Sequence, residues 1–217
     1  MVEVENLINE RKYDINNTMI LLREHLESIQ YATLIKSNIF IMLYNLIEGV
    51  VTQTYTFLFD TIRNNVNTFD ELNNKIKLIY LNLQVGMLEK PADILNYLSR
   101  YQDIHKISYE EYTQKKTLYS GNLDAKTIRE LNDKIGIRYE LHVDNEEKML
   151  TVKNNRNKLA HGELSYQEVG RNYTDSDLSG YIDAVFNYVT SFKRIIEQYI
   201  NGEGYLESKV GSIVYSI

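Results

Sequence analysis

Between Ser37 and Phe59 the chain reads SNIFIMLYNLIEGVVTQTYTFLF, a stretch with a single charge, Glu48. A helix built from it is apolar nearly all round, so it either crosses a bilayer or fills the middle of a helical core. Its polar residues decide between the two. Asn38, Asn45, Thr52, Gln53, Thr54 and Thr56 are spread through it, and a central carboxylate costs at least about 2.5 kcal/mol in a bilayer. The stretch therefore predicts a buried central helix and no membrane span.

The rest of the sequence supplies helices to surround it. Proline occurs once, at Pro91, and glycine ten times in 217 residues, while runs rich in Leu, Ile, Glu, Lys and Asn extend for tens of residues between them. That pattern predicts an all-α fold, and the length suits one domain over residues 1–217 with a core large enough to hold itself together. Cysteine is absent, which removes disulfides, thiolate zinc sites and thiol catalysis and is compatible with a reducing cytosol. The opening MVEVENLINERKYD lacks the basic-then-apolar layout of a signal peptide, so the expectation is a cytoplasmic protein that is not exported. A net charge of −6 argues against nonspecific coating of nucleic acid and confines any such contact to a local patch.

Apolar residues Leu7, Ile15, Met19, Leu22, Leu26 and Ile29 predict an amphipathic helix over about 3–31, with the central helix following at about 33–63. Thr68, three residues before Glu71, has the spacing of a capping box and predicts a third helix from there. Pro91 predicts a break near Glu89, with helical spacing resuming in ADILNYLSRYQDIHK. SGNLDAKTIRELNDKIGI, 120–137, reads as a short helix stopped by Gly136, and NEEKMLTVKNNRNKLAHG, 145–162, as a helix with acids first, bases last and Gly162 as its stop. GRNYTDSD, 170–177, reads as a polar loop and Asp177 to about Asn201 as a last amphipathic helix. Residues 200–217 read as a short strand or a flexible tail.

Chemistry concentrates in KNNRNKLAHGELSY, 153–166. An arginine, four residues and a histidine is a cheap pattern, with about 0.2 matches expected by chance here. The chain has two, Arg156/His161 and Arg100/His105, so spacing alone selects neither. Only the first has an amide, Asn157, beside the arginine and a glycine stop beside the histidine. Five helical steps separate Arg156 from His161 by about 140°. Either the helix unwinds at Gly162 and swings His161 round, or two protomers pool their side chains across a twofold axis. The plainer account is a dipole partner for His161 and a surface charge for Arg156. His25, His105 and His142 read as surface or packing residues.

RNKLAHGE resembles the R-N-x-x-x-H signature of the HEPN superfamily, the helical domain of many prokaryotic ribonucleases in toxin–antitoxin and antiviral systems. YNLIEGVV at 44–51, SGNLDAKTIRELNDKIGI at 120–137 and RNKLAHGELSY at 156–166 stand in the order of the MAE-type HEPN-like nuclease family. The resemblance implies a HEPN-like helical bundle with additional helices, and a metal-independent endoribonuclease acting on RNA. An RNA 2′-hydroxyl attacks its own phosphodiester if a base takes its proton and a cation stabilises the phosphorane. Imidazole, as a side-chain type, suits the proton transfer, which points to His161. Arg156 suits the phosphate, and Asn157 would orient the scissile group or Arg156.

A homodimer with a composite site would supply two histidines, one as base and one as acid. Glu48, in the most apolar helix, must be paired or protonated; it would hold Arg156 or bond a core tyrosine. Lys153 and Lys158 would draw in RNA backbone and Tyr166 would stack on a base, each against the simpler reading of a solvated face or ordinary packing. Nothing in the sequence resembles a metal site or a cofactor loop, so neither is expected. Acidity suits a structured target such as a tRNA loop better than bulk RNA. The expected partners are that RNA and a cognate antitoxin or defence-system protein. The competing reading is a noncatalytic helical module that binds a protein through its amphipathic faces.

Overall fold

The computed structural model describes residues 1–85, 101–106, 121–137 and 143–210. The break expected at Pro91, Arg100, His142 and the last residues of the tail lie outside the described residues. The fold is all-α. Its helices are α1 (Val2–Glu24), α2 (Ile29–Asn65), α3 (Asn74–Val85), α4 (Ala125–Ile135), α5 (Val143–Ala160), α6 (Tyr166–Arg171) and α7 (Asp175–Asn201), with 3-10 turns at Phe69–Glu71, Tyr101–Lys106 and Glu207–Lys209. Contacts divide the chain into two units, Met1–Thr52 with Gly121–Lys126 and Leu141–Lys193, and Gln53–Ser120 with Thr127–Glu140 and Arg194–Ile217.

In the first unit, α1 stops at Glu24, short of the expected 31. The His25 N–H bonds to the Leu22 carbonyl and the Ser28 N–H to the His25 carbonyl, two tight turns that reverse the chain. Leu26 and Ile29, which prolong the apolar spacing in sequence, are consequently 50% and 70% exposed. Val4, Ile8, Ile15, Met19 and Leu22 are the buried face of α1. This helix lies antiparallel to α2, with the Thr18 hydroxyl 3.5 Å from the Met42 sulfur and Leu7 against Gly49. Among the described helices α2 is the one long and apolar enough to cross a membrane. Its Ile39, Phe40, Leu43, Tyr44, Leu46, Ile47, Val50 and Val51 are buried inside the protein.

Residues 170–177, expected as a loop, hold the end of α6 and the start of α7. Ser165 caps α6 in a full capping box with Glu168, and Thr174 caps α7, its hydroxyl accepting the Asp177 N–H while the Asp177 carboxylate accepts the Thr174 N–H at 2.7 Å. Hydrogen bonding to these caps holds both Glu168 and Asp177 below the usual carboxylate range. Helix α6 lies backbone to backbone on α2 at Thr33. A Cβ on Gly170 would sit 2.2 Å from the Thr33 carbonyl oxygen, and Ser37 donates to the Tyr166 carbonyl at 2.5 Å.

In the second unit, Thr68 does not start a helix. Its hydroxyl donates to the Glu71 carboxylate, and the pair spans only the 3-10 turn Phe69–Glu71. The cap of α3 is the buried Asn73. Its Oδ1 accepts the Ile76 N–H at 2.9 Å, and its Nδ2 donates to the Gly204 carbonyl at 2.7 Å and to the Tyr199 hydroxyl at 3.2 Å. An amide in this place satisfies a helix start and a turn at once. His105 is fully buried with Nε2 3.0 Å from the Val66 carbonyl, and Lys106 donates to the Arg63 and Val66 carbonyls, so both close the end of α2. Gly136 stops α4 with φ +97°. The described tail makes one isolated antiparallel bridge, Leu206 to Leu72.

Candidate functional site

Helix α5 carries the motif, and it buries Met149, Val152, Asn155 and Leu159 along one side. Asn155, in the motif's first turn, donates to the Tyr173 hydroxyl at 2.7 Å and is structural. One residue on, Arg156 is half-buried. Its guanidinium carbon lies 4.1 Å from the centre of the Tyr44 ring, a cation–π contact on the central helix. Tyr44 is itself fixed, since its hydroxyl donates to the Gly121 carbonyl at 2.5 Å and accepts the Leu123 N–H at 3.1 Å. Gly121 permits that turn with φ +72°.

The edge of Arg156 is held as well as its face. Its Nη1 donates to Asn157 Oδ1 at 3.0 Å, and Asn157 Nδ2 donates in turn to Asn122 Oδ1 at 2.9 Å. One lone pair and one N–H of the Asn157 amide are thereby used to link Arg156 to Asn122. Guanidinium carries five N–H groups, and four of them make no hydrogen bond among the described residues. The loop 121–124 is pinned at its other end by Asp124, which accepts from Lys153 at 2.5 Å, with the two side chains 13% and 18% exposed. Lys153 is thus engaged in an ion pair beside the motif.

Helix α5 ends in a Schellman stop. The His161 N–H keeps its helical bond to the Asn157 carbonyl at 2.9 Å. Gly162 then bonds to the Leu159 carbonyl and Glu163 to the Lys158 carbonyl, with Gly162 at φ +68°. The helix does not unwind before His161, so the separation of about 140° from Arg156 stands within one protomer. His161 and Lys158 are exposed. Tyr166 is 37% exposed at the start of α6.

Glu48 makes neither contact expected of it. Half-buried, it has no hydrogen bond or ion pair among the described residues, and its Oε1 lies 4.0 Å from where a Cβ on Gly121 would stand. A partly wet carboxylate at a helix edge needs no partner, because water satisfies it. No group of three or more His, Asp or Glu able to hold a metal ion occurs among the described residues.

Sequence reasoning did not single out Tyr44, Asn122 or Asp124, although both stretches around them were marked. What ties them to Arg156, Asn157 and Lys153 is contact between distant segments, which no local pattern encodes. The Ser165–Glu168 box was open to view as S-x-x-E, one turn after the glycine stop. A model of the MAE-type HEPN-like family matches residues 3–205. No curated protein and no solved structure was found to match.

Proposed function

Since the chain belongs to the MAE-type HEPN-like family, we propose that it is a metal-independent endoribonuclease. The observation that carries this reading is the preparation of Arg156. It is gripped on its face by Tyr44 and on its edge by Asn157, with four N–H groups unbonded among the described residues, five residues before an exposed His161. A cation fixed in advance stabilises charge as it develops on a phosphorane without reorganising at the moment of reaction. Histidine takes the 2′-hydroxyl proton, the 2′-oxygen bonds to phosphorus, and the bond to the 5′-oxygen breaks as that oxygen accepts a proton. Products are a 2′,3′-cyclic phosphate and a 5′-hydroxyl.

Because Arg156 and His161 leave one helix in directions about 140° apart, the working site takes them from two protomers. A twofold dimer also supplies the second histidine as the acid. The biological setting we propose is a cytoplasmic toxin or antiviral effector, restrained by a cognate partner protein and directed at a structured RNA such as a tRNA loop. Lys158 and Tyr166 are the exposed side chains beside the motif suited to phosphate and base contact.

The test is incubation of wild type, Arg156→Ala and His161→Ala with total tRNA and mRNA in excess EDTA, mapping cut sites and end groups. Either substitution is expected to lower cleavage by about 10²-fold or more with folding intact. Equal cleavage by all three proteins refutes the reading. Loss of dimerisation in both variants, with no cleavage by wild type, favours a noncatalytic module.

A further inference from the structure

We infer that Asn122 and Tyr44 are positioning residues that preorganise Arg156, with the loop 121–124 as the part that sets its direction. The inference rests on the ribonuclease reading of Arg156 and extends it to two residues outside the motif. Three observations carry it. The Asn157 amide has a fixed polarity, since its oxygen accepts from Arg156 and its nitrogen donates to Asn122. An amide held by one end alone is free to turn about its last torsion, which is broad and roughly two-fold. Arg156, which has donors only, selects the oxygen, and Asn122 holds the opposite end so that the amide plane stays aimed at the guanidinium.

Tyr44 acts on the same arginine by a different surface. Its ring carries the guanidinium, while its hydroxyl clamps the backbone on both sides of Asn122, at Gly121 and Leu123. One side chain thus sets both the platform under Arg156 and the placement of the residue that holds Asn157. The Lys153–Asp124 pair, largely shielded from solvent, closes the loop onto α5. Asn122 itself is exposed and buries nothing a core would need, so what it supplies to this cluster is its hydrogen bond to Asn157.

Asn122→Ala removes the acceptor without touching the core, and Asn122→Asp restores an acceptor in the same place. With an RNA that wild type cleaves, Asn122→Ala is expected to lower kcat about tenfold, with KM within about twofold and an unchanged melting temperature. Asn122→Asp is expected to return kcat to within about threefold of wild type. Tyr44→Phe, which keeps the ring, is expected to lower kcat in the same direction.

Nitrogen-15 NMR of the Arg156 guanidinium and the Asn157 side-chain amide supplies a readout that needs no activity. In Asn122→Ala both sets of protons are expected to exchange faster with water and to lose their separate resonances. Unchanged signals overturn the inference, as does a changed spectrum with wild-type kcat. A wild type that cleaves no RNA overturns the ribonuclease reading instead, and the NMR comparison then decides alone whether Asn122 holds Asn157 and Arg156.

Discussion

Gly170→Ala puts two physical rules in opposition and so gives a test by sign. Helix propensity favours alanine over glycine by about 1 kcal/mol, and Gly170 lies within α6, so local reasoning expects stabilisation. Packing expects the reverse. The added Cβ would stand 2.2 Å from the Thr33 oxygen and 2.7 Å from its carbonyl carbon and Cα. Relieving that overlap requires a displacement of about 1 Å. Both sides are backbone, and α6 is tied to α2 by the Ser37 bond to Tyr166, so no flexible side chain absorbs the shift.

Overpacking of this kind costs at the upper end of about 1–3 kcal/mol, and subtracting the propensity gain leaves a loss of about 2 kcal/mol. For a chain of this size that is a fall in melting temperature of about 4–8 °C. Circular dichroism melts of wild type and variant decide it. A variant as stable as wild type, or more stable, refutes the close approach of α6 to α2 and with it the placement of the chain that follows the motif.

Asn73→Ala is expected to cost about 2–4 kcal/mol in denaturant unfolding, because it removes a helix cap and strips a partner from the Tyr199 and Gly204 groups bonded to it. Acid should weaken the caps of α6 and α7. Glu168 and Asp177 have folded pKa values depressed by hydrogen bonds from Ser165 and Thr174, so their stabilisation is present above the unfolded values and fades as pH falls through the folded ones. Melting temperature is expected to decline between about pH 5 and pH 3, less steeply in Glu168→Gln with Asp177→Asn; identical slopes would refute the contribution of the caps.

The helices were legible wherever a local signal fixed them. Gly136 and Gly162 end α4 and α5 as read, each at positive φ, because a left-handed stop is a property of one residue. The corner between α1 and α2 was not legible, since Leu26 and Ile29 continue the apolar spacing that ends in fact at Leu22. Periodicity records which residues are apolar and says nothing of where the chain reverses. Thr68 and Asn73 offered rival starts for one helix, and the choice fell to Asn73 through bonds to residues more than 120 positions away. In the site, Arg156 and Asn157 stood out by chemistry and the glycine stop beside them. Their supports, Tyr44 and Asn122, lie 112 and 35 positions from the residues they hold, and only the folded chain joins them.

The pairing of Lys153 with Asp124 bears on how binding would answer to salt. With that charge spent, Arg156 and Lys158 are the cations of residues 153–161 not already in an ion pair among the described residues. Counterion release from a single-stranded RNA scales at about 0.7 per phosphate neutralised, so two such contacts give a slope near −1.4 in log affinity against log salt. Across a tenfold rise in salt each protomer would lose about 25-fold in affinity, where a basic surface making six or more contacts loses several orders of magnitude. On the ribonuclease reading, an RNA engaging these two cations would be held by the shape and placement of a few groups, and would yield far less to ionic strength than one spread over a broad basic surface.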